Sequence, residues 1–235
     1  MATSNNKNNA PVTDGIDPAT HYGFGLIDVD AAAVAAGVLP PQPVKSARSD
    51  VATPGIFHPS PAFLHQRQLM MAAKQGDSQS LATLEAAARQ GDANAQTWLA
   101  IYDHGAGNDQ DAARWCWAAA QQGQPAAEYY MGILFFKGWG VPQDQRASHA
   151  WWLRAARTGI VDALYYLGLT EAESRGAASN FVNGYALMLA AQQRGRISPA
   201  SKPAMETIKS HLNQVDMAKA EALANRYAAD PATVE

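Results

Sequence analysis

A chain of 235 residues, 47% of them hydrophobic, is long enough to bury a sizeable core in one or two domains. Its net charge of −3, with no cluster of Lys and Arg, gives no electrostatic case for nucleic acid, whose phosphates need grouped cations. Cys116 is the single cysteine, so no internal disulfide forms.

Three compositions follow one another at the start. Residues 1–14 are polar and Asn-rich, an irregular tail without the apolar core of a secretory signal. Residues 15–38 read as a short extended piece, Tyr22-Gly-Phe-Gly-Leu-Ile27, then a small helix through Ala31 to Ala36 that Asp28 caps. Residues 39–62 carry six of the thirteen prolines and read as a linker. The longest apolar runs, 31–39 and 129–136, are far too short to span a bilayer. No membrane insertion is therefore expected, and a cytoplasmic location is favoured.

From residue 62 the texture changes to Ala, Gln, Leu and aromatics with Gly at intervals. Two alanines, two further residues and a glycine recur: Ala72-Ala73-Lys-Gln-Gly76, Ala87-Ala88-Arg-Gln-Gly91, Ala119-Ala120-Gln-Gln-Gly123 and Ala155-Ala156-Arg-Thr-Gly159. A looser copy, Ala190-Ala191-Gln-Gln-Arg-Gly195, has one extra residue. Each glycine marks a helix end, where the left-handed conformation is open to a residue without Cβ. Two helices and a turn fit between glycines. The clearest copy predicts a helix over 126–137, a turn over 138–144 with Asp144 as N-cap, and a helix through Trp151 and Trp152 to Arg157. Such a unit cannot bury its own apolar face, so copies must stack.

The spacing of Ala127, Met131, Gly132, Phe135, Gly138, Gly140, Val141, Asp144, Trp151, Ala155, Ala156 and Gly159 resembles the Sel-one-like repeat (SLR), a relative of the tetratricopeptide repeat. Ala95, Leu99, Ala100, Trp115, Ala119 and Ala120 fit a copy with a shortened turn. Ala163, Leu167, Gly168 and Gly176 fit another. The resemblance implies an all-α fold, a short right-handed α/α solenoid over 63–230, with repeats at 93–124, 125–160 and 161–196. Helices in 200–229, including 215–227, are expected to cap its end. A second stretch, His21-Tyr-Gly-Phe-Gly-Leu-Ile-Asp-Val-Asp-Ala-Ala-Ala-Val34, is similar to the last strand and helix of subtilisin-like serine proteases of the kexin branch. The catalytic Asp, His and Ser motifs of that family have no counterpart in this chain, so the stretch supplies no catalytic residue.

Candidate chemistry is sparse. No Gly-x-Ser-x-Gly, His-Glu-x-x-His or Gly-x4-Gly-Lys motif occurs. Cys116, between Trp115 and Trp117, reads as a packed side chain rather than a reactive thiol. The turn from Tyr102 to Asp111 gathers His104, Asp103, Asp109 and Asp111 but lacks the spacing of a calcium loop. It reads as a solvated turn whose Asp111 caps the next helix. His149 reads as packed or solvated. No catalytic residue, metal or cofactor is assigned.

One face is left over. Counting from Ala95, Ala127 and Ala163 at 100° per residue, positions 0, 4, 5 and 8 share the core sector and positions 2, 6 and 9 oppose it. The opposed residues include Ile101, Tyr129, Ile133, Phe136, Tyr165 and Leu169. In the family the first helices line the concave side, so these six are the candidate partner groove, suited to an amphipathic helix. The alternative is that they touch the adjacent repeat or a terminal helix folded across them. The expected function is a non-catalytic scaffold or adaptor for a protein or peptide, with weak self-association through its apolar patch. The alternative function is the interaction arm of a truncated or split subtilisin-like protease.

Overall fold

A computed structural model describes residues 57–173, 180–195 and 201–235. The polar tail, the protease-like stretch and the linker as far as residue 56 lie outside the described residues, as does the turn containing Gly176. Among the described residues there are ten α-helices and no strand: α1 Pro61–Lys74, α2 Ser78–Arg89, α3 Ala93–Gly105, α4 Asp109–Gln121, α5 Pro125–Lys137, α6 Gln145–Arg157, α7 Val161–Glu173, α8 Asn180–Gln193, α9 Lys202–Lys209 and α10 Gln214–Ala229. The expected linker gives way to helix slightly early. Pro61 opens α1, where its missing N–H costs nothing, and the Ser60 hydroxyl accepts from the Phe63 amide at 3.1 Å.

The Ala-Ala-x-x-Gly motif is a helix-ending device. In its first copy the Gly76 amide donates to Ala73 O and the Asp77 amide to Ala72 O. The same pair of bonds closes at Gly91 and Asp92, at Gly123 and Gln124, and at Gly159 and Ile160. This is the Schellman arrangement, and the two alanines supply its carbonyls while the glycine takes positive φ. In three copies the residue after glycine also starts the next helix. Asp77, Asp92 and Gln124 each turn a side-chain oxygen onto a first-turn amide. One short motif thus ends a helix, reverses the chain and caps the next helix.

Asp144 caps α6 as the spacing predicts, accepting from Arg146 N and Ala147 N at 2.9 and 3.0 Å. Asp111 does not cap. The shorter turn starts α4 at Asp109 with Asn108 in the cap position, which leaves Asp111 inside the first turn, paired with Arg114.

Five successive helices, α3 to α7, are each thirteen residues long, so they stack with their ends level. Each first helix packs on the second helix of its own pair and on the second helix before it, while α3 and α5 touch only lightly. Close approach is bought by small residues: a Cβ on Gly132 would fall inside the Trp152 indole, and one on Gly168 would lie 2.6 Å from Gly184 O. Ala127, Ala155, Ala156 and Trp151 are completely buried. Gly138 is left-handed at φ 74°, and a Cβ on Gly140 would strike the Asp109 carbonyl of the preceding turn.

The far end is capped by α10, which lies against α8 and donates a hydrogen bond from Tyr227 to Asn183 at 2.9 Å. Its tail runs back to α6, where Arg157 Nε donates to Val234 O at 2.8 Å. At the near end the Phe57 amide donates to Gly159 O at 3.1 Å, although Gly159 lies between α6 and α7. Four residues extend no further than about 14 Å. The start of α1 therefore stands within about that reach of the turn between α6 and α7, and the array curls.

Candidate interaction face

The six groove candidates fall on two sides of a line. Ile101, Tyr129, Ile133 and Tyr165 are only 3%, 1%, 8% and 6% exposed, so as they stand they offer no free surface. Phe136 and Leu169 are half-buried and remain accessible. The helical wheel places residues correctly around one helix but is silent on curvature.

Tyr166, which the wheel argument passed over, is the hub of this face. Its ring stacks on Trp152 at 4.9 Å and also meets Tyr129 at 5.7 Å and Tyr165 at 5.3 Å. Phe136 continues the row, 5.4 Å from Trp152. Trp152 comes from a second helix and reaches this row through the notch at Gly132. A signal existed in the sequence: the doublets Tyr129-Tyr130 and Tyr165-Tyr166 repeat at a spacing of 36. Burial, followed by the nearby Tyr166 and Asp162, pushes the Tyr129 hydroxyl well above the usual tyrosine range, so it stays neutral.

Charge accompanies the aromatics. Glu128 on α5 is almost fully buried and takes a 2.9 Å ion pair from Arg154 Nε on α6. Asp162, at the start of α7, is also buried. Breaking a buried pair of this type is costly, since the survivor keeps its desolvation penalty.

The His104 turn is a joint between repeats. His104 Nδ1 lies 2.6 Å from Asp109 Oδ1, and its ring stacks on Trp139 of the next turn at 4.2 Å. The neighbouring Asp103 carboxyl is raised to about 6, by burial first and by the Asp111 charge second. Among the described residues no group of three or more His, Cys, Asp or Glu side chains is arranged to hold a metal ion. Cys116 is buried, donates to Ala127 O at 3.1 Å, and has its thiol pushed well up by burial. His149 Nε2 lies 2.5 Å from Glu171 Oε1, joining α6 to α7. Among the described residues no helix is long and apolar enough to cross a membrane.

No family model and no curated protein matches the chain. Among solved structures it is similar to the crystal structure of c5321, a protective antigen present in uropathogenic Escherichia coli strains and displaying an SLR fold. The TM-score is 0.60 at 24% identity, over 66% of this chain and 34% of that one. The match thus spans about a third of the E. coli chain, and at this identity it speaks for fold alone.

Proposed function

We propose that this chain, an SLR-fold helical array, is a non-catalytic scaffold that holds a protein or peptide partner against its concave side. The observation that carries the reading is the row Phe136, Trp152, Tyr166 and Tyr129, drawn from three helices of two successive pairs. Its half-exposed members, Phe136 and Tyr166, lie on the same inner face as half-exposed Leu169. Rigid aromatic anchors with accessible edges, set on packed helices, are what interface centres use. An amphipathic helix or an extended apolar segment has the complementary chemistry. The buried thiol of Cys116 and the packed rings of His104 and His149 favour binding over catalysis.

The test is affinity purification with mass spectrometry on the full chain, Phe136→Ala plus Leu169→Ala, and a control at exposed Arg89→Ala on the second helix of the first pair. The reading expects a specific partner with wild type and the control, depleted at least about tenfold by the double variant, as loss of two apolar anchors implies. Equal recovery with all three chains, at unchanged helical circular dichroism, would remove the concave face from the account.

A further inference from the structure

Two repeats meet at the turn between α3 and α4, and the contacts there form a closed ring. His104, near the end of α3, sets Nδ1 2.6 Å from Oδ1 of Asp109 at the start of α4. A carboxylate only accepts, so Nδ1 carries the hydrogen and Nε2 is the nitrogen left to take a second proton. The backbone of Asp109 is gripped in turn by the next repeat, where a Cβ on Gly140 would strike the Asp109 carbonyl. Trp139, beside Gly140, closes the ring: its indole stacks on the His104 imidazole at 4.2 Å, with 28° between the planes. One side chain thus holds both sides of the joint.

A proton on His104 strengthens both of its contacts. The hydrogen bond to Asp109 becomes an ion pair, and the stack on Trp139 becomes a cation over the ring type that attracts cations best. Imidazole is the side chain that ordinarily gains its charge between pH 5 and 8, and this one, 21% exposed, is open to solvent protons. Asp103 adjoins it on α3, Asp111 stands on α4 paired with Arg114, and Glu85 on α2 acts on Asp103. Lys74 at the end of α1 comes up to Gly105, its Cε 3.4 Å from where a Cβ there would stand. From the next repeat, Tyr130 meets the imidazole edge-on at 6.0 Å, while Lys137 turns away over Phe136. Acidic groups outnumber basic ones around the ring, so added positive charge meets attraction on balance. Asp103, pushed up to about 6 by burial and by Asp111, takes a proton in the same window and relieves its repulsion with Asp111. Both changes have the same sign.

We propose that the α3–α4 turn is a proton-operated latch, in which His104 takes up a proton below neutral pH and tightens the joint to the α5–α6 pair. The joint lies within the stretch that the contact between Phe57 and Gly159 closes, so the latch steadies the curl.

Hydrogen exchange of the full chain at pH 7.5 and 5.5, corrected for the intrinsic rate, reads local opening in peptides covering 104–110 and 138–141. Wild type is expected to open about fivefold less often at pH 5.5, and His104→Gln to lose that gain at unchanged helical circular dichroism. Asp109→Asn keeps the imidazole without its charged partner and is expected to lose most of the gain. Asp103→Asn removes the other group titrating in this window and is expected to keep most of it. Peptides of α6 and α7 are the internal reference, since the His149 contact with Glu171 is intact in every variant. No gain in wild type, an equal gain in His104→Gln, or a gain that vanishes with Asp103→Asn alone would each overturn the latch. Fluorescence gives a second readout, because an imidazolium quenches an indole that it touches. The signal of Trp139, taken as wild type minus Trp139→Phe, is expected to fall on acidification and to stay level in the His104→Gln background. The same fall without His104 would also overturn the proposal.

Discussion

Gly132 shows how one missing methyl shapes both the core and the face. Its bare Cα admits the Trp152 indole between α5 and α7, where the ring stacks on Tyr166. Gly132→Ala pushes a carbon into that ring and is expected to cost about 2–3 kcal/mol, by overpacking a site that has no room to yield. Thermal unfolding reads the loss, and an unchanged midpoint would mean the indole sits elsewhere. Asp103 is a second residue with a calculable sign. Its folded-state value of about 6 lies above the ordinary aspartate range, so the folded chain holds its proton more tightly. Its favourable contribution is present in full below about pH 4 and is lost as pH rises through 6. Asp103→Asn is therefore expected to stabilise the chain at pH 7.5 by about 1 kcal/mol, with solvent screening of this half-buried group taken into account, and to leave pH 4 unchanged. Paired unfolding curves at the two pH values check the difference.

At the scale of the element, helix boundaries were legible because each rests on local chemistry. The Ala-Ala-x-x-Gly motif carries its own closing bonds, and Asp144 carries its own cap, so 138–144 and the helix to Arg157 emerge as read. Asp111 does not cap because the shortened turn starts the helix two residues earlier, at Asp109, whose carbonyl lies against Gly140 of the next repeat's turn. Neighbour fit of that kind is not written in either turn alone. The two aspartates should differ accordingly. Asp144→Ala is expected to cost about 1 kcal/mol as a lost cap, whereas Asp111→Ala removes an exposed pair with Arg114 together with a repulsion on Asp103 and costs under about 0.5 kcal/mol. Urea melts of both variants decide, and equal losses would contradict the assignment of caps.

For the whole molecule, repeat count and pairing follow from spacing, but curvature does not. The wheel counted Ile101, Tyr129, Ile133 and Tyr165 as an outward-looking groove, and each is covered. What decides their fate is long-range. Phe57 reaches Gly159, and Val234 reaches Arg157, so both ends of the described chain meet near the end of α6. Val215, 65% exposed on α10, is a large apolar side chain that the cap leaves to solvent.

Every functional statement depends on that curl, and one distance tests it. His58→Cys and Thr158→Cys receive spin labels in the full chain, with buried Cys116 left unlabelled, and pulsed electron resonance reads their separation. The contact between Phe57 and Gly159 predicts a single distribution below about 25 Å, from the reach of a few residues plus the label arms. A separation beyond about 30 Å, as for pairs stacked in an open row with 8–10 Å between neighbouring axes, would contradict it.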